Sequence, residues 1–424
     1  MTGAAASGRT LNRLLCAALA VALPVAGHAQ SYDTGGVQLT FGTAMGLVAT
    51  DNEGLRASGD NSSLDALFTP SFGLLTQTAT SSFGFDAASD IRYGTNSDDI
   101  GLTSPRLETR YQTSSANAGL DLAASLRQLD LSEERLAIRE TDGPGDFING
   151  TATRQSRMAR AQVDWGREAL AAFSLSARLN DTRYSSGEAS GLNGDSLSDN
   201  NRMTFAGTAA LDVTQALQLD GRLSYSRFDN DASAEPTETI FASTGVSLDR
   251  PLGALSTELN VTQTGAGHRY GLSAGRTLTL PAGPITAQIG AVRLPQGETA
   301  MTGKISALRT LALSEIGFEL SRDVSSLNEQ DSARLTTRMM LNYTQALSQD
   351  TNLLVRFDMV QARDIATDAE SFDASVDTVY SRALTRDWTA DVGYSYRYID
   401  DRPGDTAEGN TAFVTLRRKF VTRY

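Results

Sequence analysis

The side chains best suited to catalysis are scarce in this sequence of 424 residues, which holds two histidines and one cysteine. His28 and Cys16 lie in or beside an apolar N-terminal stretch, so His268, in the run GAGHRY, is the remaining imidazole that could act as a general base. Hydrolysis by a Ser/His or Asp/His arrangement needs a serine or an acid held beside that base, and no motif around His268 fixes one. The sequence therefore predicts no enzymatic activity and no catalytic residue.

Metal binding is the second chemistry that the residue types allow. The stretch DNDASAEPTE, from Asp229, superficially resembles a calcium-binding loop but lacks the glycine and the terminal ligand spacing that such a loop requires. A single histidine without a nearby cysteine supplies no transition-metal cluster of recognisable spacing. We therefore expect no metal site and no cofactor.

The third candidates are charged residues at even spacing, because residues an even number apart on a strand share a face. These residues, which we interpret as lining a lumen, are Asp121, Arg127, Arg178, Asp220, Arg222, Arg356, Asp358, Asp391 and Arg397. In a water-filled space they would set ion preference, whereas in a closed one they would pair across strands as structural ladders. The sequence leaves both readings open.

The elements that would position these charges are strands with one apolar and one polar face. Apolar residues alternate with polar ones in segments 171 to 180, 217 to 225 and 388 to 398. Five further segments of this kind run over 37 to 48, 117 to 129, 202 to 213, 339 to 346 and 353 to 361. Each of the first three is about ten residues long, which is the length of a tilted strand that crosses a bilayer.

The connections between strands alternate in kind. A short pattern recurs as TQAL at 214, DRPL at 249, GRTL at 275, LRTL at 308, TQAL at 344 and SRAL at 381, in steps of 26 to 37 residues. Longer stretches rich in Gly, Asn, Ser and acids lie between. This period fits two strands with one short and one long connection, so the repeating unit is a hairpin.

The N-terminus predicts export. Arg9 and Arg13 precede the 13-residue apolar run Leu14 to Ala26 and the small residues around Ala29, which is typical of a cleaved signal peptide over residues 1–29. That run is too short for a membrane-spanning helix. Without it the chain has no cysteine and a formal net charge of −15, which makes nucleic acid an improbable partner.

These features together predict that residues 30–424 form a single transmembrane antiparallel up-and-down β-barrel. We expect about 20 strands, in the range 16 to 20, with short periplasmic turns and longer acidic extracellular loops in the outer membrane of a Gram-negative bacterium. The alternative is a soluble all-β protein with its apolar faces buried against a second sheet.

Aromatic residues near the short turns are expected to meet the membrane interface. Trp165 and Trp388 both sit beside predicted short turns, where a girdle would place them. The chain ends on AFVTLRRKFVTRY, whose alternation puts Phe420 and Tyr424 on the apolar face and predicts closure onto the first strand, near residues 37 to 47. Arg418, on that same face, should lie near the periplasmic headgroups.

Signal peptide, hairpin repeat, acidic loops and aromatic C-terminus together make the chain resemble Gram-negative outer-membrane β-barrel proteins of the porin-like kind. The final hairpin also resembles uncharacterised barrels associated with exopolysaccharide loci. The resemblance implies that Phe420 and Tyr424 form the signal read by barrel-assembly machinery, although that family more often ends in Phe or Trp. The partners it implies are this machinery, outer-membrane lipid and lipopolysaccharide, with the oligomeric state left open.

Three functions remain as hypotheses. A barrel of this strand number leaves an aqueous lumen unless something plugs it, which favours a passive or weakly selective channel for small solutes. An export portal for a polysaccharide and a structural or surface-interaction barrel acting through its loops are the alternatives. The long loop at 131 to 151 could fold inward and narrow the channel, but a solvated surface loop is the simpler reading.

Overall fold

The protein is described here by a computed structural model. It describes residues 35–55, 62–95, 97–131, 149–150, 152–185, 189–190, 198–231, 235–326, 333–365, 367–401 and 406–424. The predicted signal peptide and most of the loop at 131 to 151 lie outside these residues, so both stay predictions. None of the described residues forms a helix that is long and apolar enough to cross a membrane.

The described chain is built from β-strands. In chain order they are β1 (Gly36–Thr50), β2 (Ser63–Gln77), β3 (Ser81–Gly94), β4 (Ser97–Ser114), β5 (Ala118–Asp130), β6 (Asn149–Gly150), β7 (Thr153–Trp165), β8 (Ala171–Ser185), β9 (Ala189–Ser190), β10 (Asn200–Asp212), β11 (Leu217–Asn230), β12 (Thr237–Arg250), β13 (Gly253–Thr264), β14 (Gly267–Leu280), β15 (Gly283–Arg293), β16 (Thr299–Thr310), β17 (Ser314–Ser326), β18 (Ala333–Ser348), β19 (Thr351–Asp364), β20 (Glu370–Ala383), β21 (Trp388–Asp401) and β22 (Thr406–Arg423).

Twenty of these strands form one closed antiparallel sheet, and the two-residue strands β6 and β9 pair only with each other. Each barrel strand pairs with the next barrel strand in the chain, and β22 pairs back onto β1 from Gln38 opposite Arg423 to Thr50 opposite Thr411. Reciprocal backbone hydrogen bonds between Val37 and Tyr424 complete this seam. The predicted barrel, its 20 strands and its closure onto the first strand are confirmed.

Period-two alternation explains why these segments form this sheet. On one face of β11, Leu219 and Leu223 are exposed by 38% and 60%. The alternate positions Gln218, Asp220 and Arg222 belong to the other face. Large exposed apolar side chains recur in this way around the whole sheet, whereas the fully buried apolar residues form only small clusters. Among the described residues the sheet encloses no central apolar core, and its continuous apolar surface is the outer one.

The connections at the two rims differ, as the hairpin repeat predicts, but less sharply. At the rim that holds both ends of the described chain, every connection spans two to five residues. At the other rim the connections range from two residues, between β13 and β14, to the 22 residues between β5 and β7. Several acidic stretches, such as the one beginning at Asp229, are shorter as loops than the sequence suggests because the strand ladders run into them.

The recurrent short pattern has no single position relative to the turns. TQAL at 214 lies in the connection between β10 and β11 and ends on the first residue of β11. TQAL at 344 lies within β18 and GRTL at 275 within β14, whereas DRPL at 249 and SRAL at 381 do reach into turns. At two of these turns a glycine starts the next strand with positive φ, Gly253 at 126° and Gly283 at 124°. A Cβ at either position would lie 2.0 Å from a backbone oxygen of the neighbouring strand, so a side chain is excluded there.

Candidate functional site on the inner face of the barrel

The inner face is the polar one. Residues paired across antiparallel strands point to the same side of the sheet, so the register carries the assignment from strand to strand around the barrel. In β21, Val392 and Tyr394 are about half exposed on the outer face. The odd-numbered residues Asp391, Ser395 and Arg397 belong to the opposite face and are buried. Water and solutes in the barrel would therefore meet a hydrophilic wall.

By this register the nine charged residues interpreted as lumen-lining all belong to the inner face. Their surroundings differ. Asp358, Asp391 and Arg397 are buried, whereas Asp220 and Arg222 are exposed, and the other four are intermediate. The nine predicted lumen-lining residues thus occupy two kinds of environment, one buried and one open to solvent.

Ion pairs pack the inner face of β18 to β22. Arg397 donates to Asp373 at 2.6 Å, and their side chains are only 11% and 3% exposed. Arg417 donates to both oxygens of Asp391, which also accepts a hydrogen bond from Ser381 at 2.6 Å. These contacts join neighbouring strands and pair the charges of Asp373, Arg397 and Asp391.

Three further ion pairs also have largely buried side chains. Arg338 lies 3.5 Å from Asp358 with both side chains nearly buried. On the far side of the seam, Arg92 contacts Asp65 at 2.5 Å and Glu53 at 2.8 Å. Buried charges of this kind need their partners, because one left alone would be costly. This sector of the wall matches the structural-ladder reading of lumen charges.

A second sector, over β4, β5, β7 and β8, is rich in arginine. Among its described side chains the inner face carries six arginines and three acids: Arg106, Arg110, Arg127, Arg154, Arg160 and Arg178, with Glu108, Asp121 and Asp164. Arg106 stands directly opposite Arg127, and Arg160 directly opposite Arg178. Like charges in such positions repel, so the sequence tolerates an unfavourable arrangement here.

The acids of this sector satisfy only part of that charge. Asp121 accepts hydrogen bonds from Arg110 at 2.5 Å and 3.2 Å and from Gln112 at 2.8 Å. Arg160 contacts the amide oxygen of Gln162. Within the described residues, Arg106, Arg127 and Arg160 have no carboxylate partner in an ion pair. The sector therefore presents net positive charge to the lumen.

The open part of the wall continues over β11 to β13. Asp220, Arg222, Phe241 and Glu258 line one concavity of the inner face. The guanidinium of Arg222 lies 5.9 Å from the ring centroid of Phe241, an inward-facing aromatic residue. Neither Asp220 nor Arg222 is in an ion pair with another described residue, so both stay available to a solute.

The sequence analysis did not identify several inner-face charged residues that determine whether their neighbours are paired. They are Arg92, Asp65, Arg338, Asp373, Arg106, Arg110 and Arg160. Most lie in strands whose alternation is weaker than that of the segments used to find lumen charges. Strand parity, applied to every hairpin, would have placed them on the inner face. It would not have paired them, because the partner depends on the register between strands.

The remaining predicted positions are placed as follows. Trp165 ends β7 and stacks on Phe173 with ring centroids 5.6 Å apart, and Trp388 begins β21, so both lie on the outer face beside short turns. Phe420 lies opposite Phe41 on that face, and Tyr424 follows β22 at the seam. Whether these residues act as a girdle or an assembly signal stays a prediction.

His268 lies within β14, opposite Gln263, rather than in a loop. Its ring centroid is 6.3 Å from that of Tyr270. The described part of the chain holds no group of three or more His, Cys, Asp or Glu residues arranged to bind a metal ion.

Comparison with known proteins places the fold. The siderophore receptor PirA from Pseudomonas aeruginosa matches with a TM-score of 0.51 at 11% identity, over 92% of this chain and 81% of that one. A mutant of the ferric enterobactin receptor PfeA from the same organism, in complex with enterobactin, matches with a TM-score of 0.50 at 10% identity, over 90% and 81%. Pseudomonas aeruginosa OccK3 (OpdO) matches with a TM-score of 0.40 at 13% identity, over 91% and 96%.

No protein-family model and no curated protein matches the sequence. The likeness to solved structures, at these identities, concerns the fold. The chain has the fold of a Gram-negative outer-membrane β-barrel, as its hairpin repeat predicts.

Proposed function

We propose that this protein is an outer-membrane channel for small solutes with a preference for anions. The observation that carries this proposal is the inner face itself. It is hydrophilic along a closed barrel of 20 strands, and barrels of 16 or more strands leave an aqueous lumen unless something plugs it. Exposed, unneutralised charges on such a wall act on the solutes that pass it.

The anion preference rests on the arginine-rich sector. Arg106 and Arg127 stand opposite each other and repel unless a negative charge comes between them, and Arg160 has no carboxylate partner among the described residues. A transient anion relieves that repulsion, whereas a cation adds to it. The paired charges on β18 to β22, in contrast, are already neutralised and should contribute little to selectivity.

Ion conductance and its selectivity can be measured in planar bilayers with the full chain purified in detergent. Steady single-channel conductance is expected, with a reversal potential in a salt gradient that shows anion preference. Replacing both Arg106 and Arg127 by Gln should shift that potential toward cations. The matched control is Arg293→Gln, an exposed arginine on the outer face of β15, which should leave it unchanged.

Two outcomes would contradict the proposal. A correctly folded barrel that stays electrically silent would exclude a channel and favour a barrel that acts through its loops. A conducting barrel that prefers cations, or whose preference ignores the double substitution, would exclude the anion preference alone.

The alternative function is an export portal for a polymer. It is supported by the resemblance of the final hairpin to barrels associated with exopolysaccharide loci. Conductance that a soluble acidic polysaccharide blocks from one side would favour it over a small-solute channel.

A further inference from the structure

Five arginines stand on the outer face of the barrel near the rim with the short turns. They are Arg250 on β12, Arg276 on β14, Arg309 on β16, Arg382 on β20 and Arg418 on β22. Each lies close to the end of its strand, level with the start of a neighbouring one. Arg250 is opposite Gly253, Arg382 opposite Thr351 and Arg418 opposite Trp388, which are the first residues of β13, β19 and β21.

Acids on the outer face are confined to the opposite rim. Among the described side chains of the barrel strands they are Asp130, Asp181, Asp229, Glu238, Glu370, Asp400 and Glu408, all near the longer loops. Arginines also occur at that rim, where Arg157 and Arg183 both contact Asp181. The short-turn rim thus carries basic residues alone on its outer face.

The five arginines lie at the depth where an apolar band would end. On β22 the outer-face residues Glu408 and Arg418 are ten positions apart, with Ala412, Val414 and Leu416 between them. At about 3.3 Å per residue and a tilt of about 40°, this separation spans roughly 25 Å, the height of the apolar band of an outer-membrane barrel. Arg418 therefore belongs at headgroup level, not at the bilayer midplane.

Arg418 is held in a formed site. Its guanidinium carbon lies 4.1 Å from the ring centroid of Phe420 and 5.1 Å from that of Trp388. Its Nε is buried without a hydrogen-bond partner in the described structure. Two aromatic rings thus fix the guanidinium on the lipid-facing surface while its hydrogen-bonding capacity is incompletely used.

Carboxylates do not neutralise these five arginines. None of the five is in an ion pair with another described residue, although other arginines of the barrel are. The acids nearest in sequence, such as Asp249 and Glu315, lie on the inner face by strand parity. These five positive charges on the outer face are therefore available to anions in the surroundings.

We propose that this rim is a binding surface for anionic phospholipids of the periplasmic leaflet, with the phosphate of one lipid held at Arg418 between Trp388 and Phe420. Guanidinium groups bind phosphate oxygens through paired hydrogen bonds, and the flanking rings pack on the glycerol and upper acyl region. The inference rests on the membrane placement within the proposed function but not on conduction. It also gives the barrel a chemical preference for one leaflet.

The test measures lipid binding to the purified full chain in detergent by native mass spectrometry, with phosphatidylglycerol and phosphatidylcholine as probes. Wild type should retain phosphatidylglycerol preferentially. Arg418→Gln should weaken that binding by roughly fivefold, and replacing all five arginines by Gln should remove the preference. Arg293→Gln, on the outer face at the other rim, is the matched control and should bind as wild type does.

Three results would overturn the inference. They are equal retention of both lipids by wild type, an equal loss in the Arg293→Gln control, and displacement of the lipid by inorganic phosphate alone, which would make the site one for soluble phosphate. Heat-modifiable migration of every variant shows that it is folded. Conductance is recorded separately. A barrel that does not conduct but still binds phosphatidylglycerol would therefore refute the channel function and support the lipid-binding surface.

Discussion

At the scale of single residues, the same ion-pair chemistry has different consequences in different parts of this barrel. Arg397 and Asp373 are almost wholly buried, so the ion pair between them replaces part of the hydration that each has lost. Arg363 and Asp368 form a pair whose side chains are 51% and 72% exposed, and water screens that pair. Burial therefore separates the charge pairs that stabilise the wall from those that water screens.

Breaking the buried pair should destabilise the barrel. Arg397→Gln leaves Asp373 buried without its cation, and we expect a loss of about 3 to 5 kcal/mol in the free energy of unfolding. The loss is measured by urea titration of heat-modifiable migration. The exposed-pair control Arg363→Gln should change the same quantity by about 0 to 1 kcal/mol. Equal effects of the two substitutions would show that burial does not set the energetic role of these pairs.

At the scale of elements, the strands could be predicted where both faces are distinct. The segment 388 to 398 alternates cleanly, and β21 contains all of it. Connections were harder to predict because a ladder continues wherever backbone hydrogen bonds can still form. The acidic stretch from Asp400 therefore shrinks to the four positions between β21 and β22, and TQAL at 344 falls inside β18.

In the candidate site, the face that a residue occupies follows from local sequence, whereas its contact partner does not. Strand parity alone puts Asp391 and Arg397 on one face, since that property repeats every two residues. Their partners Arg417 and Asp373 lie 26 and 24 residues away in sequence, and contact follows from the register of neighbouring strands. Register is fixed by turn geometry and by the whole ladder, so no short stretch of sequence reveals it.

The last strand gives the sharpest test at this scale. Removing residues 420 to 424 deletes the pairs from Phe41 with Phe420 to Gln38 with Arg423, together with the hydrogen bonds between Val37 and Tyr424. The start of β1 would then expose backbone groups that a bilayer cannot satisfy. The truncated chain should be absent from the outer-membrane fraction, while Lys304→Gln, which alters an inner-face pair with Glu319, should insert normally. Normal insertion of the truncated chain would refute both the closure argument and the predicted assembly signal.

At the scale of the whole molecule, an even number of antiparallel strands puts both ends of the described chain at one rim. That rim has the short turns, the aromatic residues Trp165 and Trp388, and the five outer-face arginines. The opposite rim has the longer connections and every outer-face acid among the described strand side chains. Outer-membrane barrels have short periplasmic turns and longer extracellular loops, so the turn lengths predict an orientation with the short turns in the periplasm.

Strand β14 allows that orientation to be tested with a matched pair of insertions. It is flanked by two-residue connections, 265–266 at one rim and 281–282 at the other. A short epitope tag between Gly265 and Ala266 should be labelled by antibody on intact cells, because that turn faces outward. The same tag between Pro281 and Ala282 should be labelled only after the outer membrane is permeabilised. Heat-modifiable migration of both insertion variants is the folding control. Labelling of the second tag on intact cells would show that the orientation is the reverse of the predicted one. The leaflet assigned to the five outer-face arginines would then be reversed as well.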